Sequence, residues 1–329
     1  MTTRRADVLR LLADGAVHSG ESLAAALGVS RAAVWKQVQQ LDAWGLEVEA
    51  VPGRGYRLTR PLDLLDEAAL RAALPEAAAA RLRTLTVADE VESTNERLLA
   101  APALPAGRMD ACLAEFQTRG RGRRGRSWLA PFASGLCLSV SWTFRDTPPQ
   151  LSALSLAVGV GVLRALGAVG VSGVGLKWPN DLLHALRKLG GILIELRAEA
   201  AGPAFVVIGL GLNVALPEAT RAQVAASGLA VASLDDFCAA APSRTRLASA
   251  VIGELARVLT EFEVRGFAPF AEEWRAADAL ASRPAFVVQG EARVDGLARG
   301  IDEDGALLLE VAGGTRRFVS GEVSLRPVA

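Results

Sequence analysis

Hydrophobic and polar positions follow three different patterns along this chain, and the changes between them divide it into three parts. In the first part, residues 1–61, apolar positions recur with helical spacing over short stretches. Helices are predicted at about residues 4–12, 20–27 and 31–44. In the third helix Val34, Val38 and Leu41 follow the i, i+4, i+7 rule, so they should face a small core, and Ser30 should cap the N-terminus.

The rest of the first part predicts a β-hairpin and a DNA-reading surface. Strand-like residues 46–51 and 56–58 flank a Pro-Gly-Arg-Gly turn, as in a winged helix-turn-helix. Amide and basic side chains opposite the apolar face suit a helix in the major groove, whereas Trp35 on its flank is expected only to pack beneath the wing. The candidate DNA contacts are Arg31, Lys36, Gln39, Gln40 and Arg54. A protein-interaction module of the same shape is the alternative.

The second part, residues 62–270, interleaves apolar strands with longer helices, which predicts an α+β domain. Strand-like runs lie at about residues 84–87, 110–116, 136–142, 191–196 and 205–210. Helical patterns lie at about residues 94–100, 151–166 and 246–263. The apolar stretch 151–169 has the length of a membrane span, but the charge of Arg164 within it favours a buried helix packed on a sheet.

The third part, residues 271–329, changes to short strands separated by glycine turns. The strands are predicted at about residues 285–289, 292–301, 306–311 and 316–320. A small SH3-like β-barrel fits this pattern. Such a barrel either supports ligand and partner binding or simply caps the second part.

Composition narrows the possible functions and the compartment. The chain has 36 basic and 36 acidic side chains, so no global field attracts nucleic acid or a membrane, and any such attraction must be local. Cys112, Cys137 and Cys238 are odd in number and far apart, which fits unpaired thiols in a reducing compartment. No N-terminal signal segment is apparent. We therefore expect a cytoplasmic protein without a membrane association.

The densest charge lies in a glycine-rich loop after the strand that begins near Cys112. Its sequence is TRGRGRRGRSW, with five arginines and three glycines. The guanidinium groups repel one another, so we expect a poorly ordered loop that folds around an anion, which arginine binds in forked geometry. Three other interpretations are open: a dinucleotide-binding G-x-G-x-x-G turn, which needs a helix directly after it; a basic segment for nucleic acid; and a solvated surface loop.

Four further segments add polar groups beside strands or helices: ESTNE (92–96), KWPND (177–181), RKLGGILIE (187–195) and GLGLN (209–213). Taken alone, the first fits a helix cap and the second a surface turn. Together they supply fixed positive charge and glycine, while no Ser/His/Asp arrangement, zinc spacing or P-loop is apparent. This set suits joining two anions, such as a carboxylate and the α-phosphate of ATP, by positioning and charge neutralisation.

These motifs, in this order and over nearly the whole chain, resemble biotin–protein ligases, and the complete first part resembles the bifunctional members that also repress the biotin operon. The resemblance implies a central domain of the class II synthetase/biotin–lipoate ligase type. It implies that biotin and ATP, accompanied by Mg²⁺, give biotinyl-5′-adenylate and pyrophosphate. A lysine on the biotin carboxyl carrier protein of acetyl-CoA carboxylase then attacks the mixed anhydride. No metal ligand from the protein is expected.

The resemblance also assigns roles to individual residues. The biotin-binding residues would be Ser93, Thr94, Asn95, Gln117, Arg121, Gly122, Arg123 and Lys177. The nucleotide-binding residues would be Arg121, Lys188 and Asn213. Lys177 and Arg123 would be catalytic, by holding carboxylate and phosphate oxygens. Many members place a tryptophan over the adenine; here Leu229 lies near that position, so adenine coverage and adenylate retention are expected to differ.

The resemblance finally implies a regulatory switch. The adenylate orders the arginine loop, the ordered loops favour a homodimer, and the dimer binds a two-fold operator, because a ligand that orders an interface removes an entropy cost from association. Two alternatives remain. A lipoate–protein ligase shares the expected central fold, and a non-enzymatic transcription factor would use the same site only to sense a ligand.

Overall fold

The computed structural model describes residues 4–198, 203–226, 228–289, 292–319 and 324–327. Its first part contains the predicted helices and hairpin. They are α1 (Arg4–Leu12), α2 (Gly20–Leu27), α3 (Arg31–Gln39), β1 (Val48–Val51) and β2 (Gly55–Leu58). The hydroxyls of Ser19 and Ser30 accept backbone N–H groups at the starts of α2 and α3, and Gly28 ends α2 in a left-handed conformation. These caps fix the lengths of two short helices.

The third helix is shorter than predicted. It ends at Gln39, and residues Gln40–Trp44 form a 3₁₀ turn that Gly45 ends with φ 71°. Val38, Leu41 and Trp44 are all buried and lie three residues apart, which matches the three residues per turn of a 3₁₀-helix. The prediction of one α-helix to residue 44 is therefore wrong at its C-terminal end, and Gln40 lies in the tighter turn.

The surface proposed to contact DNA is open. The five candidate side chains are all exposed, namely Arg31, Lys36, Gln39, Gln40 and Arg54. Trp35 is 56% exposed, so the expectation that it packs beneath the wing is wrong. The hairpin pairs Val48 with Leu58 and Val51 with Gly55, which leaves Arg54 at its tip. Contact of these residues with DNA stays a prediction.

An aromatic pair joins the first part to the second. Trp44 stacks on Phe132 with ring centroids 4.3 Å apart, and the Trp44 carbonyl accepts the Phe132 N–H at 3.0 Å. Phe132 belongs to the core of the first part, although it follows the arginine loop in sequence. Arg60 also donates to the carbonyl of Ala215 at 2.9 Å. The two parts are therefore held together by side-chain packing as well as by the chain between them.

The second part is built on a seven-stranded mixed sheet. In chain order its strands are β3 (Leu82–Val91), β4 (Met109–Gln117), β5 (Gly135–Phe144), β6 (Val174–Lys177), β7 (Asp181–His184), β8 (Arg187–Ala198) and β9 (Ala204–Asn213). Their order across the sheet is β3-β4-β5-β9-β8-β7-β6. β3 and β4 run parallel, and the other neighbouring strands run antiparallel. The predicted α+β class is confirmed, with β6 and β7 as additional short strands around the KWPND motif.

Helices cover this sheet and complete the main core. They are α4 (Glu67–Ala72), α5 (Glu76–Arg81), α6 (Thr94–Leu99), α7 (Leu154–Ala168), α8 (Glu218–Ala225), α9 (Arg244–Arg265) and α10 (Ala268–Ala276). Residues Leu151–Ala168 are the one stretch of the described chain that is helical, long and apolar enough to cross a membrane. α7 packs on α9 and α10, and Arg164 pairs with Glu273 of α10. This confirms the buried core helix.

The third part forms a five-stranded antiparallel sheet, and its closure into an SH3-like barrel stays a prediction. Its strands are β10 (Pro284–Gln289), β11 (Ala292–Ile301), β12 (Leu307–Val311), β13 (Gly314–Phe318) and β14 (Ser324–Pro327). Their order is β13-β12-β11-β10-β14. The strand predicted at residues 316–320 corresponds to β13, which begins two residues earlier than predicted, at Gly314, and Ser320 lies outside the described residues. The expected boundary at residue 270 falls within α10, where Phe270 and Trp274 are buried in the main core.

Candidate active site

A cavity of about 910 Å³ lies where α6, the arginine loop, β7–β9 and the segment after α8 meet. Every residue that the resemblance assigns to biotin or nucleotide lines it, namely Ser93, Thr94, Asn95, Gln117, Arg121, Gly122, Arg123, Lys177, Lys188 and Asn213. Phe286 of β10 also reaches the cavity, so the third part contributes to its wall. The structure brings all the predicted site residues together, and their individual roles stay predictions.

One wall is a network of neutral polar groups at the start of α6. The Thr94 N–H donates to Oε1 of Gln117 at 2.8 Å, and the Ser139 hydroxyl donates to Oδ1 of Asn95 at 2.5 Å. Ser93 is the N-cap of α6, as the sequence allowed. A Cβ at Gly209 would lie 2.3 Å from Asn95 Oδ1, so only glycine leaves room for this amide. Fixed donors and acceptors of this kind suit a neutral amide-like ligand group.

Two arginines of the loop pair with polar side chains elsewhere in the chain. Arg121 Nη1 lies 2.7 Å from a carboxylate oxygen of Glu96, and Nη2 pairs with Glu195. Arg123 Nη1 donates to Oδ1 of Asn180 at 3.1 Å. Burial lowers the pKa of Arg123, and the neighbouring charges of the loop act in the same direction. An anion bound next to Arg123 would therefore stabilise its charged form.

The backbone of the loop differs from a dinucleotide-binding turn. Residues Arg123–Gly125 form a short 3₁₀ turn, with Arg124 at φ 57°, and an isolated bridge joins Arg121 to Ser127. The next long element is the strand β5, whereas the dinucleotide fingerprint requires a helix at this place. The G-x-G-x-x-G alternative is therefore wrong.

Two lysines share one carboxylate on the opposite wall. Asp181 accepts from Lys188 Nζ at 2.6 Å and from Lys177 Nζ at 3.3 Å. Burial by itself would raise the pKa of Asp181, but the two ammonium groups outweigh it and the pKa is lowered. Two cations around one anion leave net positive charge at fixed positions, which suits the oxygens of a carboxylate next to a phosphate.

Trp128 is a cavity residue that was not among the predicted site residues. Its indole lies against the backbone of Gly211, where a Cβ would be 2.4 Å from the ring, and Lys188 Nζ is 5.9 Å from the ring centroid. The buried indole N–H has no hydrogen-bond partner among the described residues. It is therefore a candidate donor to a ligand. The tryptophan ending the loop and the glycines of GLGLN are the sequence signals that point to this packing.

The remaining wall is held to β8 and β9 by one main-chain and one side-chain hydrogen bond. The Lys188 N–H donates to the carbonyl of Ala230 at 2.8 Å, and the Asn213 amide donates to the carbonyl of Ala232 at 2.9 Å. Leu229 lines the cavity in the segment after α8 and is 43% exposed. Its aliphatic side chain would cover less of a bound adenine than an aromatic ring would.

Three family models match the chain in the order of its three parts. An HTH domain matches residues 4–57, the biotin/lipoate A/B protein ligase family matches residues 87–213, and the biotin protein ligase C-terminal domain matches residues 288–326. The second match includes the central strands that build the cavity wall, whereas Phe286 lies just before the third match. The combination supports the same three-part organisation that the sequence patterns indicate.

Full-length relatives carry all three parts. A bifunctional ligase/repressor BirA from Salmonella typhimurium is 38% identical over 99% of this chain and 98% of its own. The protein of that name from Escherichia coli is 39% identical over 97% of this chain and 96% of its own. The structure of an Aquifex aeolicus biotin protein ligase in complex with biotin and ATP has a TM-score of 0.62 and 28% identity, covering 75% of this chain and 100% of that one. The chain therefore belongs to the biotin protein ligase family, among its bifunctional ligase/repressor members.

Proposed function

We propose that this protein is an ATP-dependent biotin–[acetyl-CoA-carboxylase] ligase. A biotin carboxylate oxygen attacks the α-phosphorus of ATP, a P–O bond breaks, and pyrophosphate leaves. The amine of a carrier-protein lysine then attacks the acyl carbon of biotinyl-5′-adenylate and releases AMP. The observation that carries the proposal is the single cavity that collects every candidate residue from five separate sequence motifs.

The neutral wall is the proposed biotin site. Ser93, Thr94, Asn95 and Gln117 offer hydrogen-bonding groups that are already held in place by α6, β4 and β5. A preorganised set of this kind binds a neutral ring without first being ordered. The carboxylate end of biotin would then lie towards the cationic groups, where the reaction needs it.

The cationic walls are the proposed site of charge neutralisation. Lys177 and Arg123 would hold the carboxylate and α-phosphate oxygens through the transition state, and Arg121 and Gly122 would close over them. Lys188 shares Asp181 with Lys177, so we place it at the nucleotide end, with Asn213 supporting the adjoining backbone. Mg²⁺ would arrive with ATP as part of the substrate. Stabilisation of developing charge by fixed cations is the chemistry that such a site can supply.

The test is biotin-dependent exchange of pyrophosphate with ATP by the purified protein, followed by transfer of biotin to a carrier domain. Lipoate-dependent exchange without biotin-dependent exchange would favour the lipoate ligase alternative. Biotin binding without transfer would favour a sensor. We expect Arg121→Ala and Arg123→Ala to release adenylate faster than wild type, since each removes a cation from the loop. Release at the wild-type rate by either variant would contradict the closing role of the loop.

The exposed helix α3 and wing support a second function as a biotin-responsive transcriptional repressor. We propose that residues 1–61 bind operator DNA, that residues 62–270 bind biotin and ATP, and that residues 271–329 assist carrier-protein and ATP binding. The adenylate would favour a homodimer that fits a two-fold operator. Catalysis on a carrier protein and unpaired Cys112, Cys137 and Cys238 suit a cytoplasmic protein without membrane association.

Sedimentation and DNA binding test the repressor function. Dimerisation should be tighter with biotinyl-5′-adenylate than with ATP, and equal dimerisation would refute the ordering step. Lys36→Ala and Arg54→Ala should each weaken binding to duplex DNA and lower its salt dependence by about one counterion if each contacts a phosphate. Arg265→Ala, which removes an exposed charge from the end of α9, is the matched control.

A further inference from the structure

Glu195 on β8 connects two walls of the cavity without lining it. One carboxylate oxygen accepts the Asn95 amide Nδ2 at 2.8 Å. The other pairs with Nη2 of Arg121 in the arginine loop. The Glu195 side chain is only 18% exposed. A single half-buried anion therefore spans from the proposed biotin site to the loop that would close over it.

The carboxylate determines which way the Asn95 amide faces. Asn95 is buried, and its oxygen accepts the Ser139 hydroxyl at 2.5 Å. Its nitrogen faces Glu195 and also the Leu193 carbonyl at 3.3 Å. Turning the amide over would place its oxygen against an anion and a carbonyl oxygen, with no proton between them. The charge of Glu195 thus selects the orientation in which Asn95 presents its oxygen towards Ser139 and the cavity side of Gly209.

Arg121 has a second carboxylate partner that provides a natural control. Glu96 pairs with Nη1 of Arg121 at 2.7 Å. Its side chain is 40% exposed, more than twice the exposed fraction of the Glu195 side chain. Among the described residues, the Asn95 side chain forms its hydrogen bonds with Glu195, Leu193 and Ser139. Loss of the Glu96 charge therefore perturbs Arg121 alone, whereas loss of the Glu195 charge perturbs both Arg121 and Asn95.

We infer that Glu195 is a positioning residue for biotin, which orients the Asn95 amide and, through Arg121, holds the loop at the edge of the same site. This inference rests on the proposed function, because it takes Asn95 as part of the biotin site. It assigns Glu195 no contact with the reacting atoms. Its effect should therefore be larger on biotin binding, through Asn95, than on ATP binding, which it can reach only through Arg121.

The decisive comparison is between Glu195→Gln and Glu96→Gln in the full-length protein. Glutamine keeps the size of Glu195 but removes the charge that selects the amide orientation. Exchanging a charged acceptor for a neutral one weakens the hydrogen bond that fixes Asn95, which predicts a rise of about tenfold in the KM for biotin, corresponding to about 1.4 kcal/mol. The KM for ATP should change less than about twofold on the same reasoning. Glu96→Gln should leave the KM for biotin within about twofold of wild type.

The outcomes are separable. A rise in the biotin KM in Glu195→Gln alone supports the inference. An unchanged biotin KM, an equal rise in both variants, or an equal rise in the KM for biotin and for ATP overturns it. If Glu195→Gln does not fold, Ser139→Ala removes the partner on the other side of the amide, and an unchanged biotin KM there also overturns it. Failure of the proposed function looks different, because wild-type protein would then show no biotin-dependent pyrophosphate exchange.

Discussion

Replacing Phe132 with alanine should detach the DNA-binding part from the ligase part. Phe132 is 1% exposed and stacks on Trp44 in the core of the first part. Removal of a buried phenylalanine ring typically costs about 3–5 kcal/mol. A folded segment of roughly 60 residues is stable by only about 3–9 kcal/mol, at about 0.05–0.15 kcal/mol per residue. The loss is thus comparable to the whole stability of the first part.

The main core should be much less affected, because its packing does not depend on this ring. Phe132 is absent from the large cluster that contains the central sheet, α7 and α9. We expect amide hydrogen exchange in the Phe132→Ala protein to accelerate across α1, α2 and α3 and to remain slow in β5 and β9. DNA affinity should fall in the same variant, since α3 and the hairpin, which carry the candidate DNA contacts, would no longer be held by a packed core.

Phe144→Ala is the matched control for this prediction. Phe144 is also fully buried, but it packs on Phe262 inside the main core, with ring centroids 6.1 Å apart. This variant should accelerate exchange in β5 and α9. If Phe132→Ala left the exchange of α1 to α3 at its wild-type rate, or first exposed the central sheet, the packing role of the ring would be refuted.

Two further predictions concern the cavity. Leu229→Trp should slow the release of biotinyl-5′-adenylate by about 5- to 150-fold, because stacking of an aromatic ring on a base contributes about 1–3 kcal/mol. Release measured by rapid mixing should be unchanged in Leu229→Ile if only an aromatic face matters. Asp181→Asn should lower the free energy of unfolding at neutral pH, because the pKa of the Asp181 carboxylate is lowered in the folded protein. The stabilising effect of this carboxylate is fully present above its unfolded pKa of about 4. It is lost as the pH falls through the folded pKa. Urea unfolding across pH should show the two proteins converging in acid, and a constant difference would contradict the ion-pair account.

Local patterns were sufficient to predict most of the secondary structure. The helical spacing of Val34 and Val38 and the cap at Ser30 placed α3, and apolar runs placed five strands of the central sheet. The end of α3 was missed because Leu41 and Trp44 continue the apolar pattern whether the turn is α or 3₁₀. Four-residue strands such as β6 and β7 are too short for alternation to identify them.

The candidate site was predicted by motifs rather than by periodicity, and this explains what was missed. Each motif carries its own polar residues, so Lys177, Lys188 and the loop arginines were identified in sequence. Glu195 ends the motif RKLGGILIE, yet nothing local shows that it meets Asn95, a hundred residues earlier. Contacts at this separation depend on how β8 lies beside β9 and α6, which is a property of the assembled sheet.

The same segment of chain serves the ligand cavity and the DNA-reading part. Trp128 lines the cavity and Phe132 fills the core of the first part, with only three residues between them. A trans peptide chain of this length spans at most about 14 Å, so movement at one end is limited by the anchor at the other. Because α3 leads directly into the turn that presents Trp44 to Phe132, the position of the reading helix and the geometry of the arginine loop are physically linked. Any binding free energy coupled through this link must act equally in both directions.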